Sequence, residues 1–292
     1  MRTYFLQGLG LLFLGLSLTP TVRALSWTPG WTSQPAASVR SVSTEERDRA
    51  RQLGDGIDSL QTAGTAIHAW EAIATANPND TEAWTQIGVL YLLEGAAYRE
   101  RVHERLGCYR ASLQACERAM ATNPDFLHRV QTGQTMAEAS KVLGAREMTA
   151  MQFWTTGIFY IFRDCLGTIG RITNVRLLNR AKTMLEQMDA VEPDWGEGES
   201  TFTWGIYYFA MPKSRGGDRV KARAYFDRAV ALGQHYLLPR WGRGKYFYTG
   251  MGETAAARED FSAVVSQKLD GVRGNRSWNR YFQAEAARFL AK

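Results

Sequence analysis

The segment Phe153–Phe162, FWTTGIFYIF, decides the fold of this chain because it is apolar on both faces of a helix. At helical spacing one stripe holds Trp154, Ile158, Ile161, Cys165, Ile169 and Ile172, and the other side holds Phe153, Phe159, Phe162 and Leu166. A helix of this kind is buried on most sides. Arg163 ends the apolar run after about ten residues, whereas a bilayer span needs about 20. We therefore predict a central helix of a soluble helical protein, which either fills a core or also lines a cavity.

Residues 1–24 have the layout of a secretory signal peptide. Residues 4–18 carry no charge, and the small-residue ending Val22–Ala24 follows Pro20. These features predict cleavage after Ala24. An uncleaved anchor is the alternative, because the apolar run is near the lower limit for a span. Cleavage would lower the formal net charge from +6 to +4, and no basic run interleaved with aromatic residues follows, so nucleic-acid binding is not expected.

From residue 44 to residue 292 nearly every segment has helical period, and none alternates like a strand. The predicted fold class is all-α, with a single helical domain over residues 44–292. Residues 25–43, with Pro29 and Pro35, are predicted to form a linker or N-terminal arm. Ser43 is predicted to cap the first helix.

Internal similarity predicts a degenerate tetratricopeptide-like array. The first-helix signature W-x-x-I-G-x-x-Y is formed by Trp84, Ile87, Gly88 and Tyr91. The second-helix signature recurs with drift at Ala66–Pro78, Ser112–Pro124, Ala222–Ala229 and Ala257–Val264. We expect these helical hairpins to close around the central apolar helix and its partner, Asn174–Val191, so that the concave face becomes a pocket.

Cysteine and histidine usage predicts neither a disulfide framework nor a metal site. Cys108, Cys116 and Cys165 are an odd set for an exported protein, and the first two are about 12 Å apart along one predicted helix, too far for a bridge. We expect all three to be buried. No two histidines have helical i, i+4 spacing: the four are His68, His103, His128 and His235.

Two loops admit both a structural and a ligand-binding interpretation. Gly216-Gly217-Asp218 fits a turn with Asp218 as a helix cap better than an anion site, which needs more glycines and a following lysine–hydroxyl pair. The acidic segment Glu192–Glu199 fits a solvated connection better than a calcium loop, because its acids lack the required spacing. No nucleophile–base set is recognisable in the sequence, so we do not expect an enzyme.

Aromatic side chains are more concentrated around the central segment than repeat packing requires. We predict that one cavity for an apolar ligand is lined by Trp154, Ile158, Phe159, Tyr160, Phe162, Trp204, Tyr207, Tyr208, Phe209, Met211 and Tyr246. The tyrosine hydroxyls, with Arg163 and Asn174 nearby in sequence, are suited to orient the polar end of a lipid or sterol-like molecule. The alternative is a scaffold with a filled core that holds a protein partner on its concave face. No cofactor is expected.

The order of motifs after the central segment carries a family resemblance. Gly205 and Tyr208 precede Pro212, and the Gly216–Asp218 loop leads into the helix with Ala222, Phe226 and Ala229. Upstream, FWTTGIFYIFRD is followed by Leu177-Leu178 and Glu192-Pro193. Over about residues 60–270 the chain resembles the TatT-like T-component family of tripartite ATP-independent periplasmic (TRAP) transporters.

This resemblance implies a periplasmic, all-helical accessory protein that exchanges an apolar or amphiphilic molecule with a periplasmic solute-binding protein. It also implies peripheral contact with the outer membrane and a homo-oligomer, since some members form trimers. The usual lipoprotein form of the family has a cysteine at the cleavage site. This chain has none near Ala24, so lipid anchoring is not expected.

Overall fold

The structure, a computed structural model, describes residues 40–292, and this part of the chain is helical without any strand. The helices are α1 Thr44–Asp55, α2 Leu60–Ala76, α3 Thr81–Ala97, α4 Val102–Ala121, α5 Pro124–Gln131, α6 Met136–Ala139, α7 Met148–Tyr160, α8 Thr168–Thr173, α9 Arg176–Val191, α10 Trp195–Ala210, α11 Arg219–Leu232, α12 Leu237–Gly242, α13 Thr249–Met251, α14 Thr254–Ser266 and α15 Arg276–Leu290. Two further segments, π1 (Ile161–Cys165) and π2 (Arg243–Tyr248), are π-helices. The predicted all-α fold class is confirmed. The predicted signal peptide and residues 25–39 of the predicted arm lie outside the described residues.

Helix ends follow the capping chemistry that the sequence indicates. The Ser43 hydroxyl accepts a hydrogen bond from the Glu46 amide, and the Glu46 carboxylate accepts one from the Ser43 amide at 2.9 Å. The Asp218 carboxylate accepts hydrogen bonds from two amides at the start of α11. Gly216 has a φ of +98°, a conformation that favours glycine. The predicted cap at Ser43 and the predicted turn before α11 are both confirmed.

Helices α3 and α4 pack closely because Gly88 has no side chain. A Cβ atom on Gly88 would lie 2.5 Å from Cys116 Sγ. The Ser112 hydroxyl donates a hydrogen bond to the Gly88 carbonyl at 2.7 Å. The close helix approach that the first-helix signature predicts is therefore present. Helices α10 and α11, and α14 and α15, also pack as adjacent pairs. That these pairs are of the tetratricopeptide type stays a prediction.

The central helix α7 packs against α3 and α4 and also against α9 and α10. Its predicted partner is confirmed as α9. The chain then passes through π1, and extended backbone at Leu166 and Gly167 ends the helical run. The prediction that the buried stripe continues beyond this point is wrong, because α8 lies at the surface, where Ile169 is 77% and Ile172 is 68% exposed.

The two ends of the helical region meet. On α15, the Ser277 hydroxyl donates a hydrogen bond to the Gly54 carbonyl of α1 at 2.7 Å, and the Arg280 guanidinium donates one to the Asp55 carbonyl. This contact joins the last helix to the first, so the array curves back on itself. None of the helices within residues 40–292 combines the length and apolar character that a membrane crossing requires.

The acidic segment Glu192–Glu199, which joins α9 to the regular part of α10, is folded more tightly than predicted. The backbone takes the left-handed region at residues 196–198, and Gly198 is buried. A Cβ atom on Gly198 would lie 3.0 Å from the Ala229 carbonyl oxygen of α11. The Glu197 carboxylate pairs with Arg273 at 2.5 Å. The connection expected to be solvated is therefore only partly so.

Candidate functional site

A cavity of about 870 Å³ is enclosed by helices from both ends of the described chain. Its walls come from α1, α2 and α3, from α7, π1 and α10, and from α12, π2 and α15. Ligand pockets commonly measure about 300–1,000 Å³. Aromatic rings supply much of the wall: Trp70, Phe153, Phe202, Phe209, Trp241 and Trp278. The cavity is therefore suited in size and character to an apolar molecule.

The central helix presents a continuous face to this cavity. Its lining residues recur every three or four positions and continue into π1: Thr149, Gln152, Phe153, Thr156, Phe159 and Arg163. The opposite stripe, with Trp154, Ile158 and Ile161, faces a smaller cavity of about 260 Å³ beside α4, α5, α6 and α9. The two sides of the central helix therefore face two different cavities.

The structure places the eleven predicted ligand-binding residues in three locations. Five line the large cavity: Phe159, Tyr160, Phe162, Phe209 and Tyr246. Two line the smaller cavity: Trp154 and Ile158. Four line neither of these two cavities of residues 40–292: Trp204, Tyr207, Tyr208 and Met211. The prediction that all eleven share one cavity is therefore wrong, and only the first five remain candidates at the large cavity.

The helical period of α10 explains why Trp204 and Tyr208 lie away from the large cavity. The cavity face of α10 is formed by Glu199, Phe202, Thr203, Ile206, Phe209 and Ala210. Trp204 and Tyr208 lie on the other side, where their rings stack with centroids 5.8 Å apart. The Trp204 indole nitrogen donates a hydrogen bond to Asp189 on α9 at 2.7 Å. Separating the two faces of this helix in the sequence would have excluded these side chains from the cavity.

Sequence reasoning missed lining residues that come from distant parts of the chain. Trp70 on α2, Leu92 on α3, and Trp278 and Phe282 on α15 all line the large cavity. Trp70 lies within the Ala66–Pro78 repeat signature, which predicts hairpin packing, and α15 carries no repeat signature. Trp278 and Phe282 are placed at the cavity by the contact of α15 with α1, and no local sequence signal reports that contact.

Arg163, on π1, lies between two tyrosine rings in the cavity wall. Its guanidinium carbon is 4.3 Å from the ring centroid of Tyr160 and 4.8 Å from that of Tyr246. Arg163 Nη2 donates to Asp164 Oδ2 at 2.6 Å, and the Tyr109 hydroxyl donates to the same oxygen at 3.0 Å. Burial alone would raise the pKa of Asp164, but these bonds outweigh it and hold the pKa below its usual value. Arg163 and Asp164 therefore form a fixed ion pair at the cavity.

Lys245, on π2, also lines the cavity. Its Nζ lies 4.7 Å from the ring centroid of Trp241 and 5.7 Å from that of Tyr246, and it pairs with the Glu285 carboxylate. Since Arg163 approaches the same Tyr246 ring, the two π-helical segments meet at this residue. π-helical turns are rare, and they are frequent at functional sites.

Glu199 supplies a carboxyl group to the cavity wall at the start of α10. Burial raises its pKa to about 7, although the positive charge of Arg273 and the hydrogen bond from Tyr236 act in the opposite direction. The carboxyl group is therefore partly protonated near neutral pH. A molecule in the cavity meets a group whose charge changes within the physiological range.

Over residues 60–292, from the start of α2 to the end of the chain, the sequence matches the family described as TRAP transporter T-component. The chain belongs to this family. The resemblance recognised in the sequence is thus confirmed, and the match covers every wall of the large cavity except the part from α1. A T-component is a periplasmic accessory component of a transporter, which assigns the protein to transport. A comparison with curated proteins gives no match.

Within residues 40–292, no three histidine, cysteine, aspartate or glutamate side chains are grouped to hold a metal ion. Cys108 and Cys116 are buried as predicted, but Cys165 is only half-buried, and all three thiols are free. Burial raises the pKa of Cys108 and of Cys165 to about 11, so both are protonated and weakly nucleophilic at neutral pH.

Proposed function

We propose that this T-component binds a hydrophobic or amphiphilic small molecule, lipid-like or sterol-like, in the large cavity and exchanges it with a periplasmic solute-binding protein. The observation that carries the proposal is the cavity of about 870 Å³ with a wall of mainly aromatic and aliphatic side chains. Protein interiors are packed as densely as organic crystals, so a space of this size is not a packing irregularity.

The alternative function, a scaffold that only holds a protein partner, requires a filled core and an open concave groove. The contact between Ser277 of α15 and Gly54 of α1 instead brings the two ends of the array together. The centre that they surround contains the cavity. These observations favour a ligand carrier over a scaffold.

The proposal also includes features that the family resemblance implies. We expect export with cleavage near Ala24, a single helical domain over residues 44–292, peripheral contact with the outer membrane and self-association. We expect no catalytic activity, cofactor or nucleic-acid partner.

A cavity-filling substitution tests the proposal. Thr156 lies in the middle of the cavity face of α7, and its hydroxyl donates to the Gln152 carbonyl one turn earlier. In Thr156→Trp an indole ring would occupy the cavity. Thr65→Trp is the matched control, because exposed Thr65 donates to the Gln61 carbonyl in the same way on α2. Each protein is incubated with a bacterial lipid extract and repurified, and the retained molecules are identified by mass spectrometry.

We expect the wild-type protein and Thr65→Trp to retain the same class of molecule, and Thr156→Trp to retain much less of it. Addition of the solute-binding protein from the same transporter is expected to remove the retained molecule from the wild-type protein. Ligand binding in the cavity is rejected if the wild-type protein retains nothing, or if Thr156→Trp retains as much as Thr65→Trp.

A further inference from the structure

Three basic side chains from three segments meet in one part of the large cavity wall: Arg163 of π1, Arg171 of α8 and Lys245 of π2. Arg163 and Lys245 approach the same ring, with distances of 4.8 and 5.7 Å to the Tyr246 centroid. Arg171 Nη2 donates to the Arg163 carbonyl at 2.6 Å, and its Nε donates to the Phe162 carbonyl at 3.2 Å. These two bonds hold the third guanidinium beside π1.

The charges at this place are not balanced. Asp164 pairs with Arg163 and Glu285 pairs with Lys245, but neither carboxylate lines the cavity. Within residues 40–292, Arg171 forms no ion pair with a carboxylate and bonds only to carbonyl oxygens. Three cations against two carboxylates leave one net positive charge. The cavity side of the cluster is positive, because the cations form the wall and the acids lie behind it.

Arg171 also retains free hydrogen-bonding capacity. A guanidinium has five N–H donors, and the two carbonyl bonds of Arg171 use only part of them. Arg163 likewise keeps 34% of its side-chain surface accessible, although its charge is already paired with Asp164. Arg171 is exposed, so its remaining donors contact solvent and are accessible to an anion at the cavity. The accessible donors and the extra positive charge together suit an anionic group.

We propose that the ligand of this cavity is an amphiphile with an anionic head group, a carboxylate or a phosphate monoester, which pairs with Arg171 beside Arg163 and Lys245. The proposal rests on the proposed carrier function and specifies its ligand class. Guanidinium groups match the geometry of carboxylate and phosphate oxygens and pair with both. The hydrocarbon chain then lies against the aromatic side chains that α7 presents to the cavity, Phe153 and Phe159. A neutral alcohol or sterol would form no ion pair with Arg171.

A series of ligands with one hydrocarbon chain separates the contribution of the head group from that of the chain. Oleate, oleyl phosphate and oleyl alcohol are titrated at pH 8 below their aggregation concentrations. Binding is followed by tryptophan fluorescence, because four tryptophans line the cavity: Trp70, Trp195, Trp241 and Trp278. The wild-type protein is compared with Arg171→Gln and with the control Arg176→Gln. Arg176 is an exposed arginine five positions later that does not line the cavity.

We expect the wild-type protein to bind oleate or oleyl phosphate at least about tenfold more tightly than oleyl alcohol. A hydrogen bond to a charged group changes the dissociation constant by about a factor of ten. Arg171→Gln is expected to weaken binding of the anionic ligand about tenfold and to change the affinity for oleyl alcohol by no more than about twofold. Arg176→Gln is expected to change neither. The tighter of the two anionic ligands identifies the head group as carboxylate or phosphate.

Two other outcomes overturn the proposal, and they differ in what else they reject. If all three ligands bind equally, or if Arg171→Gln weakens the alcohol as much as the anions, the anionic head group is rejected while the carrier function stands. If none of the three oleyl ligands binds and the wild-type protein also retains nothing from the lipid extract, both the anionic head group and the carrier function are rejected.

Discussion

The carboxyl group of Glu199 makes the stability of this protein depend on pH in a direction opposite to that of most carboxyl groups. Its pKa rises from an ordinary value of 4.5 to about 7, mainly because of burial. Between these two pH values the folded chain binds the proton more tightly than the unfolded chain, so the free energy of unfolding falls as the pH rises through this range. The full effect corresponds to at most about 3.5 kcal/mol, since one pH unit is worth about 1.4 kcal/mol. The stabilising contribution is complete below pH 4.5 and is lost above pH 7.

Glu199→Gln removes this titration and keeps an amide of similar shape beside Tyr236. We expect the free energy of unfolding of the variant, relative to the wild-type protein, to increase by about 2.5 kcal/mol between pH 5 and pH 8. Urea denaturation at several pH values measures this difference. Glu259→Gln on α14 is the control, because it makes the same substitution at an exposed glutamate. If the profiles of Glu199→Gln and the wild-type protein run parallel from pH 5 to pH 8, Glu199 is not buried as the cavity wall requires.

Two further predictions concern packing around the central helix. Gly88→Ala should lower the free energy of unfolding by about 1–3 kcal/mol, since the new Cβ would lie 2.5 Å from Cys116 Sγ. Gly64→Ala in α2, where no atom lies within 4 Å of the new Cβ, should instead raise it by up to about 1 kcal/mol. Trp154→Phe removes the hydrogen bond from Nε1 to the buried Glu117 carboxylate at 3.0 Å and should cost about 1–3 kcal/mol in urea denaturation. Lipid retention should not change in Trp154→Phe, because Trp154 lies on the side of α7 away from the large cavity; a parallel loss of retained lipid would contradict this placement.

The sequence was sufficient to predict the elements whose cause is local. The cap at Ser43, the close approach at Gly88 and the apolar character of α7 each follow from the residues within a few positions. The cavity wall depends on contacts between distant segments. Trp278 reaches it through the closure of α15 on α1, more than 200 positions away in sequence, as the bond from Ser277 to the Gly54 carbonyl demonstrates.

The helical period decided which of the predicted residues line the large cavity. Phe159 and Phe209 fall on the cavity faces of α7 and α10, and both line the cavity as predicted. Tyr208 is on the opposite face of α10, where it stacks on Tyr225 of α11 with centroids 5.4 Å apart. Grouping aromatic residues by segment, without assigning each to a helix face, merged these two environments. The two errors therefore had different causes. The sequence alone was enough to exclude Tyr208 from the cavity wall, whereas it contained no signal that would have placed Trp278 there.

The size of the cavity sets a thermodynamic condition on its contents. For cavities left by core substitutions, the cost is about 24 cal/mol per Å³, and the same rate over a space of about 870 Å³ would exceed the total stability of about 5–15 kcal/mol that folded domains have. The space therefore cannot be an empty void and must hold water or a ligand. Asp55 and Thr249 line the cavity and are exposed, so it reaches the surface and water can enter. Water in contact with so many aromatic rings gains few hydrogen bonds, and an apolar chain that displaces it gains free energy in proportion to the apolar area it covers.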